Sequence, residues 1–222
     1  MKRLSVIVII FVASLVVSCG EFFSDMRFNA SLNDGLVGYW PIIGNSTTQQ
    51  DYSGKRNDMI SDGSIVAGKF NTVYYIVNGQ VAGTDPLTNI DLSTDDEISI
   101  SFWVYRSTTG SNTNHVTVNP DINISTLGTS QIFVVGTAWA SAPQLPLNSW
   151  QYVTGTYDGR TIRLYINGEL AGETQSIVQL DDATSIGLHS SGTDNIYLDE
   201  VRIYNRVLSH DEIKELMTIG ME

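Results

Sequence analysis

The alternation of apolar and polar positions is sharpest between Trp150 and Thr174. There Ile162, Leu164 and Ile166 alternate with Thr161, Arg163 and Tyr165, the two-residue period of a strand with one buried face. Turn dipeptides bracket this segment: Asp158-Gly159 before it and Asn167-Gly168 after it, both suited to the left-handed backbone of two-residue hairpin turns. The stretch therefore predicts three antiparallel strands with register fixed from both ends. A second clean alternation runs from Glu97 to Tyr105, with Ile98, Ile100, Phe102 and Val104 on one face and Ser99, Ser101, Trp103 and Tyr105 on the other. Between Asn195 and Tyr204 the apolar phase slips. Ile196 and Leu198 share one parity, Val201 and Ile203 the other, and the break falls at Asp199-Glu200. That predicts a bulge, or a strand covered on both faces.

Shorter strands are predicted at Gly35–Trp40, Ile65-Val66, Phe70–Val77, Val116–Val118, Ile122–Ile124, Ile132–Val135 and Thr184–Gly187. Gly83–Asp96, Arg106–Asn114 and Ala138–Asn148 read as loops, the last containing Pro143 and Pro146. Ser209-His210-Asp211-Glu212 is a capping box that starts a short helix reaching about Met217. Many short strands at regular turn spacing, followed by one terminal helix, predict an all-β fold: an antiparallel jelly-roll β-sandwich with a short C-terminal helix.

A chain of 222 residues suffices for one such domain with its own core. Its formal net charge of -12, from 24 acidic and 12 basic residues, argues against nucleic acid or an anionic membrane surface as a partner held by charge. With a single cysteine, no intrachain disulfide is possible. At the N-terminus, basic Lys2 and Arg3 precede the almost wholly apolar run Leu4–Val17. At about 14 residues that run is short for a bilayer span and reads as the apolar region of a signal peptide.

The run ends in Val16-Val17-Ser18-Cys19, which resembles the bacterial lipobox. The resemblance implies cleavage before Cys19 and acylation of that residue. It divides the chain into a lipoprotein signal peptide (1–18), a lipid-anchored tether (19–34) and one domain (35–222). The expected location is the bacterial cell envelope, facing outward, with acyl chains anchoring the protein to a membrane.

The core of the opening stretch resembles that of the laminin G-like domains of the concanavalin A-like lectin/glucanase superfamily. The matching residues are Trp150, Val153, Tyr157, Asp158, Gly159, Leu164, Tyr165, Asn167 and Gly168, with Gly35–Trp40, Ile98–Tyr105 and Leu198–Ile213 agreeing in order. The resemblance covers roughly Gly35 to Met217 and implies the concanavalin A-like form of the sandwich. It leaves function open, because one fold hosts many activities. Glycoside hydrolases need two carboxylates about 5 to 10 Å apart across the scissile bond. The glucanases of this superfamily carry them at i and i+4 on one strand, a pattern this sequence lacks. Asp95-Asp96-Glu97 and Asp199-Glu200 are adjacent residues, which point to opposite faces on a strand. His115, His189 and His210 have no metal-ligand spacing, and the sequence holds no G-x-S-x-G. The chain is therefore not read as an enzyme.

For sugar binding, Trp40, Trp103 and Trp150 match core positions of the family and are expected to pack inside. Trp139 lies among small residues in a predicted loop, where it is either a stacking platform or folded back onto the core. Asn112, Asn114 and His115 are near Trp139 in sequence, which does not by itself bring them together in space. The resemblance also implies structural Ca²⁺ held between an early D-x-S-G loop and the last strand, here by Asp51, Asn57 and Asp199. Otherwise Asp51 is a turn residue and Asp199 is hydrogen-bonded to amides or an arginine. Taken together, the sequence reads as a lipid-anchored envelope protein whose sandwich binds carbohydrate or mediates adhesion. The alternatives are a protein-binding or structural envelope component without sugar binding, and a divergent hydrolase.

Overall fold

The computed structural model describes residues 30–219, apart from 71, 78–80, 85–89, 93, 95, 110–111 and 190–194. Cys19 and the apolar run before it lie outside the described residues. No helix among the described residues is long and apolar enough to cross a membrane. Residues 30–34 contain one helical turn, α1 (Ala30–Asn33), and belong to a unit, 1–34, that is distinct from the sandwich of residues 35–222.

The sharply alternating stretch becomes one margin of the first sheet, as β12 (Trp150–Asp158), β13 (Thr161–Ile166) and β14 (Glu169–Gln175). Ile166 pairs with Glu169, so Asn167 and Gly168 are a two-residue turn with φ of 53° and 79°. The first hairpin is looser than its dipeptide predicts. The last pair is Tyr157 with Ile162, and only Gly159 has positive φ. Asp158 organises that longer turn by accepting from the amides of Arg160 and Thr161 and from the Arg163 guanidinium. A side-chain acceptor thus replaces the second left-handed residue.

The sheet continues through β7 (Glu97–Arg106), β16 (Asn195–Tyr204), β5 (Thr72–Val77) and β4 (Ser64–Ala67), with β1 (Leu36–Trp40) also paired to β16. The second sheet has the order β11 (Ala138–Pro143), β10 (Ser130–Val135), β9 (Ile122–Leu127), β8 (Asn112–Asn119), β15 (Ser185–His189), β6 (Val81–Gly83), β3 (Met59–Ser61) and β2 (Thr48–Gln49). Each pairing between these strands is antiparallel, and together the two sheets form the jelly-roll sandwich.

The apolar faces meet in one core. Ile100, Phe102, Val153 and Leu164 come from the first sheet, and Val116, Ile124, Phe133 and Leu188 from the second. Each such side chain contributes roughly 1.5 to 3 kcal/mol by leaving water. Gly155 stands in register between Ile100 and Leu164, and a Cβ there would come within 2.7 Å of the Phe133 ring. The missing side chain is what lets an aromatic ring of one sheet reach the backbone of the other.

The phase slip in the last strand is a bulge. Pairing with β7 shifts between Asp199 and Arg202, and Glu200 takes φ of 55°. It lets Ile196 and Leu198 on one side and Val201 and Ile203 on the other all reach the core. The terminal helix α2 (His210–Thr218) starts at the predicted capping box, with Ser209 and Glu212 bonded reciprocally, and it buries Ile213 and Leu216. Its first turn is tied to the second hairpin: His210 Nε2 lies 2.7 Å from the Gly168 carbonyl.

Candidate functional site

The outward-facing residues of the second sheet form one cross-strand row. From the β11 edge, Trp139 is opposite Val134, which is opposite Asn123, then Thr117, then Gly187. Trp139 is 52% exposed. The predicted loop at Ala138–Asn148 is in its first half this edge strand. Ala140 and Ala142 turn inward and are buried, while Trp139 and Ser141 turn outward. Alanine against serine offers too little hydrophobic contrast to announce a strand, so tertiary burial of two methyl groups decides the matter.

Beyond Val134 this face is polar. The Ser125 hydroxyl lies between the side-chain carbonyl oxygens of Asn114 and Asn123 and can donate to one of them at a time. Further along, Thr117 Oγ1 donates to the Gly187 carbonyl at 3.3 Å, which leaves it accepting from His189 Nε2 at 2.9 Å. Burial holds the His189 imidazole below its ordinary value, so it is neutral at pH 7. An indole thus stands on the same face as amides and hydroxyls that begin two strands away, roughly 10 Å at the usual strand spacing. In the sequence, Asn114 stands out only as lying some way before Trp139 along the chain. Asn123, Ser125, Thr117 and His189 were missed, since cross-strand register brings them together and no local pattern does.

His115 is not part of this face. The pairing of β8 with β9 shifts between Asn114 and Val116, and the His115 side chain is fully buried, with Nε2 3.1 Å from Thr126 Oγ1. Burial, and then the nearby Arg106 charge, push its pKa down to about 3. Asn112 remains exposed at the start of β8.

Two of the three tryptophans expected in the core are elsewhere. Trp40 is fully buried in it, with its indole Nε1 donating to the Asn57 carbonyl at 2.9 Å. Trp103 and Trp150, however, share parity with Ser101 and Tyr105 and lie on the outer face of the first sheet, opposite Tyr152 and Tyr105 respectively. Trp103 is buried there and Trp150 half-buried.

The structure brings Asp51 and Asn57 together as a brace for the loop after β2. Asp51 Oδ1 accepts from the amides of Tyr39 and Ser53, and Oδ2 from the Ser53 hydroxyl and the Asn57 amide, all at 2.8 to 3.0 Å. Asn57 Nδ2 reaches back to the Val37 carbonyl. Asp199 is seated on the bulge of β16, where its Oδ1 accepts from the Glu200 amide and its buried Oδ2 has no partner. Among the described residues, no three His, Cys, Asp or Glu side chains gather where an ion could sit. Calcium takes six to eight oxygen ligands, and the lone pairs of Asp51 are already occupied by four donors. As they stand, these residues do not fit the ion.

Acids that a hydrolase reading would recruit also have backbone partners. Asp96 accepts from the Leu180 amide at 2.7 Å and Glu97 from the Val207 amide at 3.3 Å. A cavity of about 190 Å³ lies beside them, lined by Asp91, Leu92, Thr94, Glu97 and Asn205. It is smaller than the roughly 300 to 1,000 Å³ of typical small-molecule pockets.

The chain belongs to the concanavalin A-like lectin/glucanases superfamily: the laminin G family model of that description matches residues 82–214. No curated protein sequence matches it. Among solved structures, it is similar to the receptor binding domain of botulinum neurotoxin C/D mosaic serotype, at 16% identity and a TM-score of 0.70, covering 83% of this chain and 51% of that one. The binding domain of botulinum neurotoxin DC in complex with SialylT gives 16% identity and a TM-score of 0.70, over 86% of this chain and 52% of that one. The same binding domain in complex with rat synaptotagmin II gives 15% and 0.72, over 86% and 52%. The chain spans about half the length of these structures, and at such identities the likeness concerns the fold.

Proposed function

We propose that this protein is a carbohydrate-binding module of the bacterial envelope, held to a membrane by lipid at Cys19, and that it binds rather than cleaves its ligand. The observation that carries the reading is Trp139. A large, half-exposed indole on an edge strand, in line with amides and hydroxyls on the same face, provides what a pyranose requires: an apolar platform for its C–H face and neutral donors and acceptors for its hydroxyls. The lectin-type fold supports it, as does the SialylT complex of a structurally similar domain. The synaptotagmin II complex of the same relative supports the second reading, that the sandwich binds a protein.

The test is a glycan array probed with the full-length chain in detergent, followed by Trp139→Ala. Because about half of the side chain is in water, the variant is expected to keep its melting temperature within about 2 °C, a change of about 0.5 to 1 kcal/mol, while losing glycan retention at least tenfold. Retention unchanged in Trp139→Ala removes this face from the site. An array without a positive glycan, alongside capture of an envelope protein through the same face, favours the second reading.

A further inference from the structure

Part of the outer face of the first sheet has the sequence of a solvated face and is buried. On β7 and β12 the outward positions include Ser99, Ser101, Thr154 and Thr156, which alternate with core residues such as Ile100, Phe102 and Val153. That is the apolar-in, polar-out pattern of a sheet with one wet side. Register sets these side chains in two adjoining rows. One runs Arg202, Ser101, Thr154 and Tyr165 across β16, β7, β12 and β13, and the next runs Tyr204, Ser99, Thr156 and Arg163. Tyr152 follows Thr154 on the same face of β12. Ser101, Thr154, Thr156, Tyr152 and Tyr204 are all buried, and none of their hydroxyls has a hydrogen-bond partner among the described residues.

The cover is α2 with the segment that leads into it. Leu208, Ile213 and Leu216 are at most 2% exposed, but none of them belongs to the core between the sheets. Their segment is fastened to this outer face instead. The Leu208 amide donates to Ser99 Oγ at 2.9 Å, and Ser99 Oγ donates to the Arg206 carbonyl at 2.7 Å. The His210 ring stacks on Tyr165, at the end of the first row, with centroids 6.3 Å apart at 28°. Ser99 thus finds partners in the cover, whereas the hydroxyls around it meet an apolar helix face that has none to offer. The other fastenings lie at the rim. His210 Nε2 reaches the Gly168 carbonyl, and Lys214 pairs with Glu169 at 3.0 Å between exposed side chains, a contact that holds little. The Arg206–Glu212 pair is internal to the segment and moves with it.

We propose that residues 206–218 are a lid, which opens and closes as one unit on a sandwich that stays folded. The two surfaces that part are unlike. Where a helix packs on an apolar sheet face, opening exposes apolar area on both sides, and both exposures oppose it. Here the apolar burial lost is chiefly the helix's own. The sheet side releases buried hydroxyls that lack partners, and water supplies the hydrogen bonds missing in the closed state. The gain on the sheet side offsets part of the loss on the helix side. The core between the sheets is untouched, since no residue of 206–218 belongs to it. Local openings in a protein span the range from nearly free to as costly as global unfolding, and this unlike pair of surfaces places the lid well below the sandwich. Closed, it withholds a polar strip of Ser101, Thr154 and Thr156; open, it presents that strip to solvent. The inference rests neither on the Trp139 face nor on the lipid at Cys19.

The test is native-state hydrogen exchange of the full-length chain in detergent, resolved to single amides and repeated at several urea concentrations below the unfolding transition. The amides of Leu208 and of Ile213 to Thr218 are expected to share one opening, at least tenfold more frequent than that of the β12 amides. Its urea dependence is expected to be at most about a third of theirs, because urea dependence scales with the surface exposed. Thr154→Val combined with Thr156→Val replaces two unpartnered hydroxyls by methyl groups of the same shape, and should slow lid exchange at least threefold. If that variant does not fold, judged by near-ultraviolet circular dichroism, Ser101→Ala serves instead with the same sign expected. Ile213→Ala, which removes apolar contact from the lid alone, should speed lid exchange at least tenfold and keep the small urea dependence. The proposal is overturned if lid amides show the urea dependence of β12, or if folded variants lacking the hydroxyls exchange no more slowly than the wild type. It is also overturned by simple fraying, in which rates fall steadily from Thr218 inward until Ile213 and Leu208 match the sandwich.

Discussion

At the scale of single residues, the bulge in β16 is one of the strained points among the described residues. Glu200 has φ of 55°, and its carboxylate pairs with the Arg202 guanidinium at 2.6 Å while accepting from Tyr39 OH at 3.0 Å. Arg202 in turn lies over the Tyr39 ring, 4.0 Å from its centroid. This buried ion pair is closed by hydrogen bonding and a cation–π contact, the condition under which such a pair survives desolvation. Asp199, next to it, is not so provided. Its Oδ2 is buried without a partner, and burial, followed by the Glu200 charge, raises its pKa to about 8. A carboxyl whose pKa is higher in the folded than in the unfolded chain stabilises the fold most at pH below its unfolded value, near 4, and that contribution is lost as pH rises through about 8. Asp199→Asn removes the titration. It is expected to raise stability at pH 8 by at least about 1 kcal/mol, because it removes the cost of ionising a buried carboxyl and each unit of pKa shift is worth about 1.4 kcal/mol, with the gain shrinking toward pH 4. Urea melts at the two pH values measure this. The opposite sign, a loss of stability seen only in excess Ca²⁺, would instead show Asp199 acting as a metal ligand.

At the scale of elements, the second hairpin shows how local chemistry fixes register. Asn167 and Gly168 both adopt positive φ, the combination a two-residue turn demands if the flanking strands are to keep their right-handed twist. Asn167 Oδ1 also accepts from the Tyr152 amide at 2.9 Å, fastening the turn to β12. A Cβ at Gly168 would meet Lys214 Cγ of α2 at 3.1 Å. Gly168→Val adds a branched side chain at a left-handed position and against the helix, so a loss of roughly 1 to 3 kcal/mol is expected in chemical denaturation. An unchanged midpoint would mean that the turn relaxes freely. The bulge works at the same scale. One inserted residue turns the two halves of β16 to the same core and aims Asp199, Glu200 and Arg202 to where Tyr39 and Trp103 stand.

At the scale of the whole molecule, the two sheets divide their outer faces between different chemistries. The second sheet presents Trp139 with amides and hydroxyls, and the first presents a row of half-buried aromatic rings. The lipid attachment proposed at Cys19 would tether this sandwich to a membrane. Cys19→Ala is expected to yield unprocessed precursor without incorporated palmitate and with less protein in the membrane fraction. Metabolic labelling and fractionation check it, and normal acylation of that variant would dismiss the lipobox.

Much of this architecture is written locally. Ile162, Leu164 and Ile166 alternate because one face of β13 is dry, Asn167-Gly168 forms its turn through backbone preference, and Ser209 with Glu212 caps α2 through bonds three residues apart. Period, turn chemistry and capping act over a few residues, so the sequence alone determines them, and the resemblance resting on those stretches pointed to the right superfamily. Even the slip at Asp199-Glu200 is legible as a change of parity. What only the tertiary structure decides is which face of a strand meets which partner. Trp103 and Trp150 sit in a strongly alternating strand and beside one, but alternation does not say that the aromatic parity lies outward. Ala138–Pro143 is a strand because two alanines reach the core. Asn114, Asn123 and Ser125 converge, as do Tyr75, Tyr197, Tyr105 and Trp150, because antiparallel register joins residues up to 122 positions apart, a relation set by packing and loop lengths and carried by no short segment of the chain.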